Sequence, residues 1–278
     1  MLIGILITFG AAILGGTLNG VAGGGTFLTL PSLLYIGVAP IEANATSTTA
    51  LWPASAAATW ALRKELARQN KTLLLVLGIT GFIGGTGGAL LLLKTSQTTF
   101  TQLIPYLLLI ATVLFAISPM VNARIKRSIA ARKKEIAMEE ASARLSAPDA
   151  VDSRPSWRSL SGIAILQLII AIYGGYFGGG IGILTLAVLG LIGIEDINEM
   201  NAVKNILVAC ISGVAIITFV VSGAVVWSNA LIMIVGAIIG GYGGVYFARK
   251  LDQRVVRVFV IAVGCLMTIW FFYKYGFY

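Results

Sequence analysis

The sequence predicts an all-α, polytopic membrane protein of two inverted-topology repeats. Each repeat has about five membrane segments, with a short or broken helix near its start. Three observations predict this. Of 278 residues, 58% are hydrophobic and only 11% charged, with a mean hydropathy of +0.92, whereas a soluble domain carries about 25% charged residues. The chain also repeats itself at an offset of 156 residues. Its basic residues, finally, collect in polar stretches between apolar ones, as cytoplasmic loops do.

Residues 2–22 form the first apolar segment. The opening MLIGILITFG has no basic residue ahead of its apolar run, so it is expected to be retained and not cleaved as a signal peptide. The segment ends in the triplet Gly23-Gly24-Gly25. Residues 27–36 are apolar but number about half of the roughly 20 that a straight span needs, which suggests a half-helix or a broken, tilted one. Residues 45–62 follow, closed by Arg63, Lys64, Arg68 and Lys71. Residues 72–93 carry GGTGG at 84–88, and residues 103–121 complete a first membrane repeat, 1–121.

Residues 122–158 hold nine Lys/Arg and five Asp/Glu with Pro148 and Pro155. They read as a basic cytoplasmic linker, with helical composition in IKRSIAARKKEIAMEEASARL and a possible place at the membrane surface. The second repeat, 159–278, replays the first. Residues 159–177 lead into Gly178-Gly179-Gly180, and 181–194 are again short and apolar. Residues 202–221, 230–247 and 255–273 follow. Thr29-Leu30 matches Thr185-Leu186, the glycines of 84–88 match those of 240–244, and Asn44-Ala45 matches Asn201-Ala202 after a one-residue shift.

Five segments per half turn the second half upside down. That topology places 17 basic residues inside, with Lys94 and Lys274 outside. Were the short segments re-entrant, the count would be 13 inside and six outside. The inverted arrangement is favoured, with both termini outside.

Composition also excludes function classes. The net charge of +9 sits mostly in loops, so it reports topology and not nucleic-acid binding. With no histidine, neither a His-ligated metal nor a His general base is available. Cys210 and Cys265 lie in apolar segments and read as small buried hydrophobes. No cofactor is expected.

The candidate site starts from Lys204, a charge set into the membrane segment NAVKNILVACISG. Charge at depth costs roughly 2.5–3.5 kcal/mol on insertion scales, so it marks function by default. Its expected place is the first turn of a helix, whose N-terminus already attracts anions. The structural alternative is a lysine that snorkels to the interface and pairs with Glu199 or Glu195. Asn201 and Asn205 flank it. In the first half Asn44, Thr46, Ser47 and Thr48 supply amides and hydroxyls at another expected helix start, although one of them could simply cap it. Two such helix starts meeting at the repeat interface would cradle a small anion. The triplets Gly23, Gly24, Gly25 and Gly178, Gly179, Gly180 would bring bare backbone N–H groups to it, or would serve close helix packing. The GGTGG and GGYGG runs read as helix packing. Asn19, Gln167 and Tyr176 lie near the breaks and could add donors. Glu42 and Glu199, just before the two polar stretches, are the candidates for coupling. A substrate that carries its own proton is the alternative. An intramembrane enzyme would have only Ser47 with Lys204 for a nucleophile and base, and the chain is read as a non-enzyme.

Glycine-rich breaks early in each half, an NATST segment after the first and an NAxKN segment after the second resemble the sulfite exporter TauE/SafE family, also called the TSUP permease superfamily. The likeness covers nearly the whole chain apart from the central linker. It implies a secondary transporter in the cell membrane, an exporter of small sulfur-containing anions such as sulfite or organosulfonates, driven by the proton-motive force. The partners would be that anion, the proton as coupling ion and the lipid bilayer, with an oligomer left open. A channel, or a permease for another small carboxylate or oxyanion, is the alternative.

Overall fold

The computed structural model describes residues 2–21, 24–143, 157–192, 197–248 and 253–275. All regular structure among them is helical. The first half holds α1 (Leu2–Val21), α2 (Thr26–Tyr35), α3 (Pro40–Ala61), the single turn α4 (Arg63–Leu66), α5 (Lys71–Lys94) and α6 (Gln97–Ala143). The second holds α7 (Trp157–Tyr176), α8 (Ile181–Ile192), α9 (Ile197–Val221), α10 (Trp227–Ala248) and α11 (Gln253–Tyr275). The protein is thus all-helical and polytopic.

Among the described residues, four stretches are long and apolar enough to cross a membrane: Leu2–Asn19, Lys71–Lys94, Gln97–Leu114 and Glu199–Val221. Shorter apolar runs lie in α2, α7, α8, α10 and α11. The expected short segments are helices of 10 residues (α2) and 12 residues (α8). At 1.5 Å per residue, α2 spans only about 15 Å, half of a hydrocarbon core. α3 misses the apolar criterion because of its Asn, Thr and Ser residues, yet Asn44, Thr46 and Ser47 are at most 1% exposed. Those side chains face protein, where hydrogen-bond partners exist.

Helix boundaries correct the sequence reading at two places. α3 begins at Pro40, five residues ahead of the expected segment. Proline suits a first helical turn because it has no N–H to leave unpaired, and the Gln97 side chain accepts the Ile41 N–H at 3.1 Å. α9 begins at Ile197, five residues ahead of the expected 202. α6 is 47 residues long, about 70 Å, and runs unbroken through the expected boundary at 121 to Ala143. Arg124 and Arg127, in its polar part, are exposed. The linker beyond Ala143 lies outside the described residues.

Glycines set the packing. α5 lies along α7: a methyl on Gly84 would meet Ala171 and the Leu168 carbonyl, and one on Gly88 would meet Ile172 and Tyr176. Ascending contacts on both helices mean that α5 and α7 run parallel. α5 also runs parallel to α9, with Gly81 against Ile211 and Gly85 against Ile211 and Val214. In the other half's terms, α10 lies along α1, with Gly236 against Phe9 and Gly240 against Ile13. The GGTGG run and Gly240-Gly241 therefore pack helices, since small residues let backbones approach where lipid supplies no hydrophobic drive. α3 and α9 meet near their midpoints, where Trp52 Nε1 donates to the Ala209 carbonyl at 2.9 Å and the indole covers Gly213. Outward faces are apolar, as Ile165, Ile169 and Ile172 of α7 illustrate.

Candidate functional site

Each half carries a break between its first two helices, and the two breaks use glycine for different reasons. In the second, Gly178 and Gly180 have φ of +80° and +77°, a region open to glycine and strained for other residues. The Tyr173 hydroxyl holds this break by donating to the Gly179 carbonyl at 2.8 Å. In the first, Gly25 has a helical φ of −56°. Space is the constraint there: a methyl would stand 2.5 Å from the Gly15 carbonyl oxygen and 2.9 Å from Leu51. Gly24 is buried beside it and accepts the Phe27 N–H. Gly23 lies outside the described residues.

The polar cluster of α3 is mostly bonded within the protein. Thr29 Oγ1 donates to the Gly25 carbonyl at 3.0 Å, so the 2.6 Å bond between Thr29 and Ser47 is donated by Ser47. Thr46 Oγ1 accepts the Val226 N–H at 3.0 Å. Asn44 Nδ2 donates to the Tyr176 carbonyl at 3.1 Å, while its buried Oδ1 has no partner. Thr48 also lies near the second break, and a methyl on Gly178 would stand 4.0 Å from its hydroxyl.

The helix starts differ from the sequence expectation. Asn44, Thr46, Ser47 and Thr48 lie in the second and third turns of α3, and Lys204 is the eighth residue of α9. Neither group stands at free helix N–H groups, which belong to the first turn. Glu42 and Glu199 occupy those first turns, where a carboxylate suits the helix dipole. Each is held by a glutamine. Gln97 Nε2 donates to Glu42 at 2.9 Å, and Gln69 Nε2 donates to Glu199 at 2.6 Å.

Lys204 is half-buried, and its described hydrogen-bond partner is the neutral Asn201 Oδ1 at 3.3 Å. The Glu199 carboxylate is engaged by Gln69 instead, and Glu195 lies outside the described residues. The lysine stem lies over the start of α8, with Cδ 3.6 Å from where a methyl on Gly182 would be. Thr48 and Lys204 thus both stand against the segment 178–182, from α3 and α9 respectively. The helix start beside the lysine is that of α8. Asn205 is half-buried on α9 beside Lys204. The first triplet is tied instead to α1 and α3 through Gly15 and Leu51, and Asn19 Nδ2 donates to Ser55 at 3.0 Å.

The matched stretches Glu42-x-Asn44-Ala45 and Glu199-x-Asn201-Ala202 place Ser47 and Lys204 at equivalent positions. Thr29 and Thr185 are equivalent too, and each donates to the carbonyl four residues earlier. The second half thus carries a cation where the first carries a bonded serine. Sequence reasoning missed Thr29, Gln69 and Gln97. Their partners lie 18, 130 and 55 residues away, beyond any local pattern.

Comparisons with known proteins agree with this architecture. Over 271 residues the chain is 25% identical to the probable membrane transporter protein YfcA of Escherichia coli K12, covering 96% of this chain and 88% of that one. It is 23% identical to a probable membrane transporter protein of Haemophilus influenzae, covering 98% and 96%. It is 22% identical to the probable membrane transporter protein ORF9 of a Sinorhizobium species, covering 94% and 89%. No solved structure matches. The family model described as sulfite exporter TauE/SafE matches residues 8–271. The chain is a multi-pass membrane transporter of the cell membrane and belongs to the TauE/SafE sulfite exporter family.

Proposed function

We propose that the protein is a secondary transporter, in the export direction, for a small sulfur-containing anion such as sulfite or an organosulfonate. The observation that carries the anion reading is Lys204, a cation inside a candidate span whose described partner is a neutral amide. An incoming anion completes its coordination, whereas a structural lysine at depth would be expected to hold a carboxylate. The sulfur class follows from the family description. The site lies against the α7–α8 break: Lys204 gives charge, Asn201, Asn205 and Thr48 give polar contacts, and the first turn of α8 after Gly178-Gly179-Gly180 gives backbone N–H groups. Ser47, Thr46 and Asn44 shape the α3 wall, and Gly24 and Gly25 allow α2 to seat on it.

Alternating access is the mechanism that two inverted halves perform. The inverted relation is supported by helix ends. Gly4, at the start of α1, meets Ile36 just ahead of α3, and Asn44, early in α3, meets Tyr176 at the end of α7. The first helix of each half would then run in opposite directions, with the linker inside and both termini outside. Glu42 and Glu199 would stand at opposite mouths as the coupling groups. Accessibility of terminal tags on intact cells tests the topology, and tags reached only after permeabilisation contradict it.

Uptake of labelled sulfite, thiosulfate and a short sulfonate into proteoliposomes tests the function, with wild type beside Lys204→Ala. The reading expects uptake by wild type that saturates at low substrate and falls about a hundredfold in the variant. Equal uptake by the two contradicts it, and conductance saturating only at high anion concentration would indicate a channel.

A further inference from the structure

The most anomalous buried group outside the proposed contacts is Gln167 of α7. It is fully buried, and neither its Nε2 nor its Oε1 has a hydrogen-bond partner. Leaving two such atoms unpaired away from water is costly, so their retention needs a reason. Its position on the helix shows where it faces. Ile163, Ile170 and Gly174, at spacings of four, three and seven, share its face, while Ile165, Ile169 and Ile172 face outward. Ile170 packs in one cluster with Ile181, Val188 and Ile211 of α8 and α9. Ile163 packs against that cluster and against a second one, built from α5, α8 and α9, that includes Val203 and Leu207.

Level follows from register. α7 and α9 run parallel, each being parallel to α5, and a methyl on Gly174 would stand 3.2 Å from Ile211. Seven residues back from Gly174 is Gln167, and seven back from Ile211 is Lys204. Ile163, one turn further back on α7, packs against the cluster that contains Val203 and Leu207 of α9. Gln167 and Lys204 therefore face one seam at one depth, two turns from the level where Ile181 of α8 meets Gly174, and the lysine stem reaches back to Gly182.

From this we infer that Gln167 is a second substrate-binding residue in the chamber of Lys204, and that the pair selects a singly charged anion that still carries an O–H. Hydrogen sulfite is the simplest such species. The inference rests on the anion-site reading above and specifies its ligand. Among the described residues, Lys204 is the one cation set within a candidate span rather than at its end. One positive charge matches one negative charge, and a dianion would bring an uncompensated charge to the same depth. The amide adds one donor face and one acceptor face. Its Nε2 suits any anion oxygen, but its Oε1 needs an incoming hydrogen, which a fully deprotonated oxyanion lacks. The proton then travels on the anion.

Counterflow of labelled sulfite in proteoliposomes, with equal pH on both sides, tests this. Competitors are methanesulfonate, a monoanion without O–H, and sulfate, a dianion. Wild type is expected to work several-fold faster on the acidic side of the hydrogen sulfite–sulfite equilibrium. It should be blocked about tenfold less well by methanesulfonate than by unlabelled sulfite, the worth of one hydrogen bond to a charged partner, and hardly at all by sulfate. Gln167→Met, nearly isosteric, should lose the preference for sulfite over methanesulfonate while its thermal midpoint rises, because a buried unpaired amide has been removed. Wild-type preference retained in Gln167→Met, or sulfate competing as well as sulfite, overturns the inference. A wild type that folds yet moves none of these anions overturns instead the anion-site reading beneath it.

Discussion

Two equivalent stretches, one in each half, have been put to different uses. In the first, Ser47 of α3 is fully buried and gives its proton to Thr29 of α2, which passes its own to the Gly25 carbonyl. In the second, the position equivalent to Ser47 is Lys204, whose described bond is a 3.3 Å contact to Asn201 on its own helix. The partner threonine survives as Thr185, bonded only backward to Ile181 among the described contacts. The first half thus uses the motif to fasten α2 to α3. The second leaves the same place open and charged. The same local motif thus fastens two helices in one half and presents a cation in the other.

That contrast can be broken by exchange, and the largest effect should come from charging the fastened side. Ser47→Lys puts an ammonium where exposure is 0%, at a cost of about 3 kcal/mol. The expected result is loss of monodisperse protein on size exclusion. Normal yield and melting would mean that the first half has room for a cation, and the contrast would fail.

The two glycine breaks should respond next, and differently. Gly25→Ala must push apart the α1 and α2 backbones at the Gly15 carbonyl, a cost of about 2 kcal/mol, read as a fall in thermal midpoint. Gly178→Ala meets no close atom, with the Gly174 carbonyl 3.4 Å away. It should cost only the left-handed backbone strain, about 1 kcal/mol, and should disturb uptake more than stability because this break borders Lys204. Equal effects of the two substitutions on both readouts would remove the distinction.

The smallest effect belongs to the fastening bond. Ser47→Ala and Thr29→Val should each destabilise by about 1–2 kcal/mol, with a coupling near 1 kcal/mol in a double-mutant cycle of melting free energies. Sulfite uptake by the folded variants should stay near wild type. Additive losses would show that the 2.6 Å hydroxyl bond contributes nothing of its own.

Much of this architecture is legible in the chain, because its signals are local. Gly23-Gly24-Gly25, Gly178-Gly179-Gly180, the short apolar runs and the lone lysine all stand out of an apolar background. Family membership could be read from them. The starts of α3 and α9 were not legible, since Pro40 and Ile197 precede apolar sequence by a polar turn that resembles a loop. The fastening of Ser47 to Thr29 and the inferred level of Gln167 with Lys204 depend on register between helices. Residue order alone does not carry that register. The helix to Ala143 was legible in the helical composition of IKRSIAARKKEIAMEEASARL, but its unbroken joining to the last apolar segment of the first half was not.

The central claim is that the second half's copy, and not the first, holds the anion. Direct binding of labelled sulfite to purified protein in nanodiscs tests it most plainly, with wild type, Ser47→Ala and Lys204→Ser side by side. Lys204→Ser gives both halves the same residue. The account predicts near-wild-type binding by Ser47→Ala and about a hundredfold loss in folded Lys204→Ser. Binding by Lys204→Ser equal to that of wild type would contradict it.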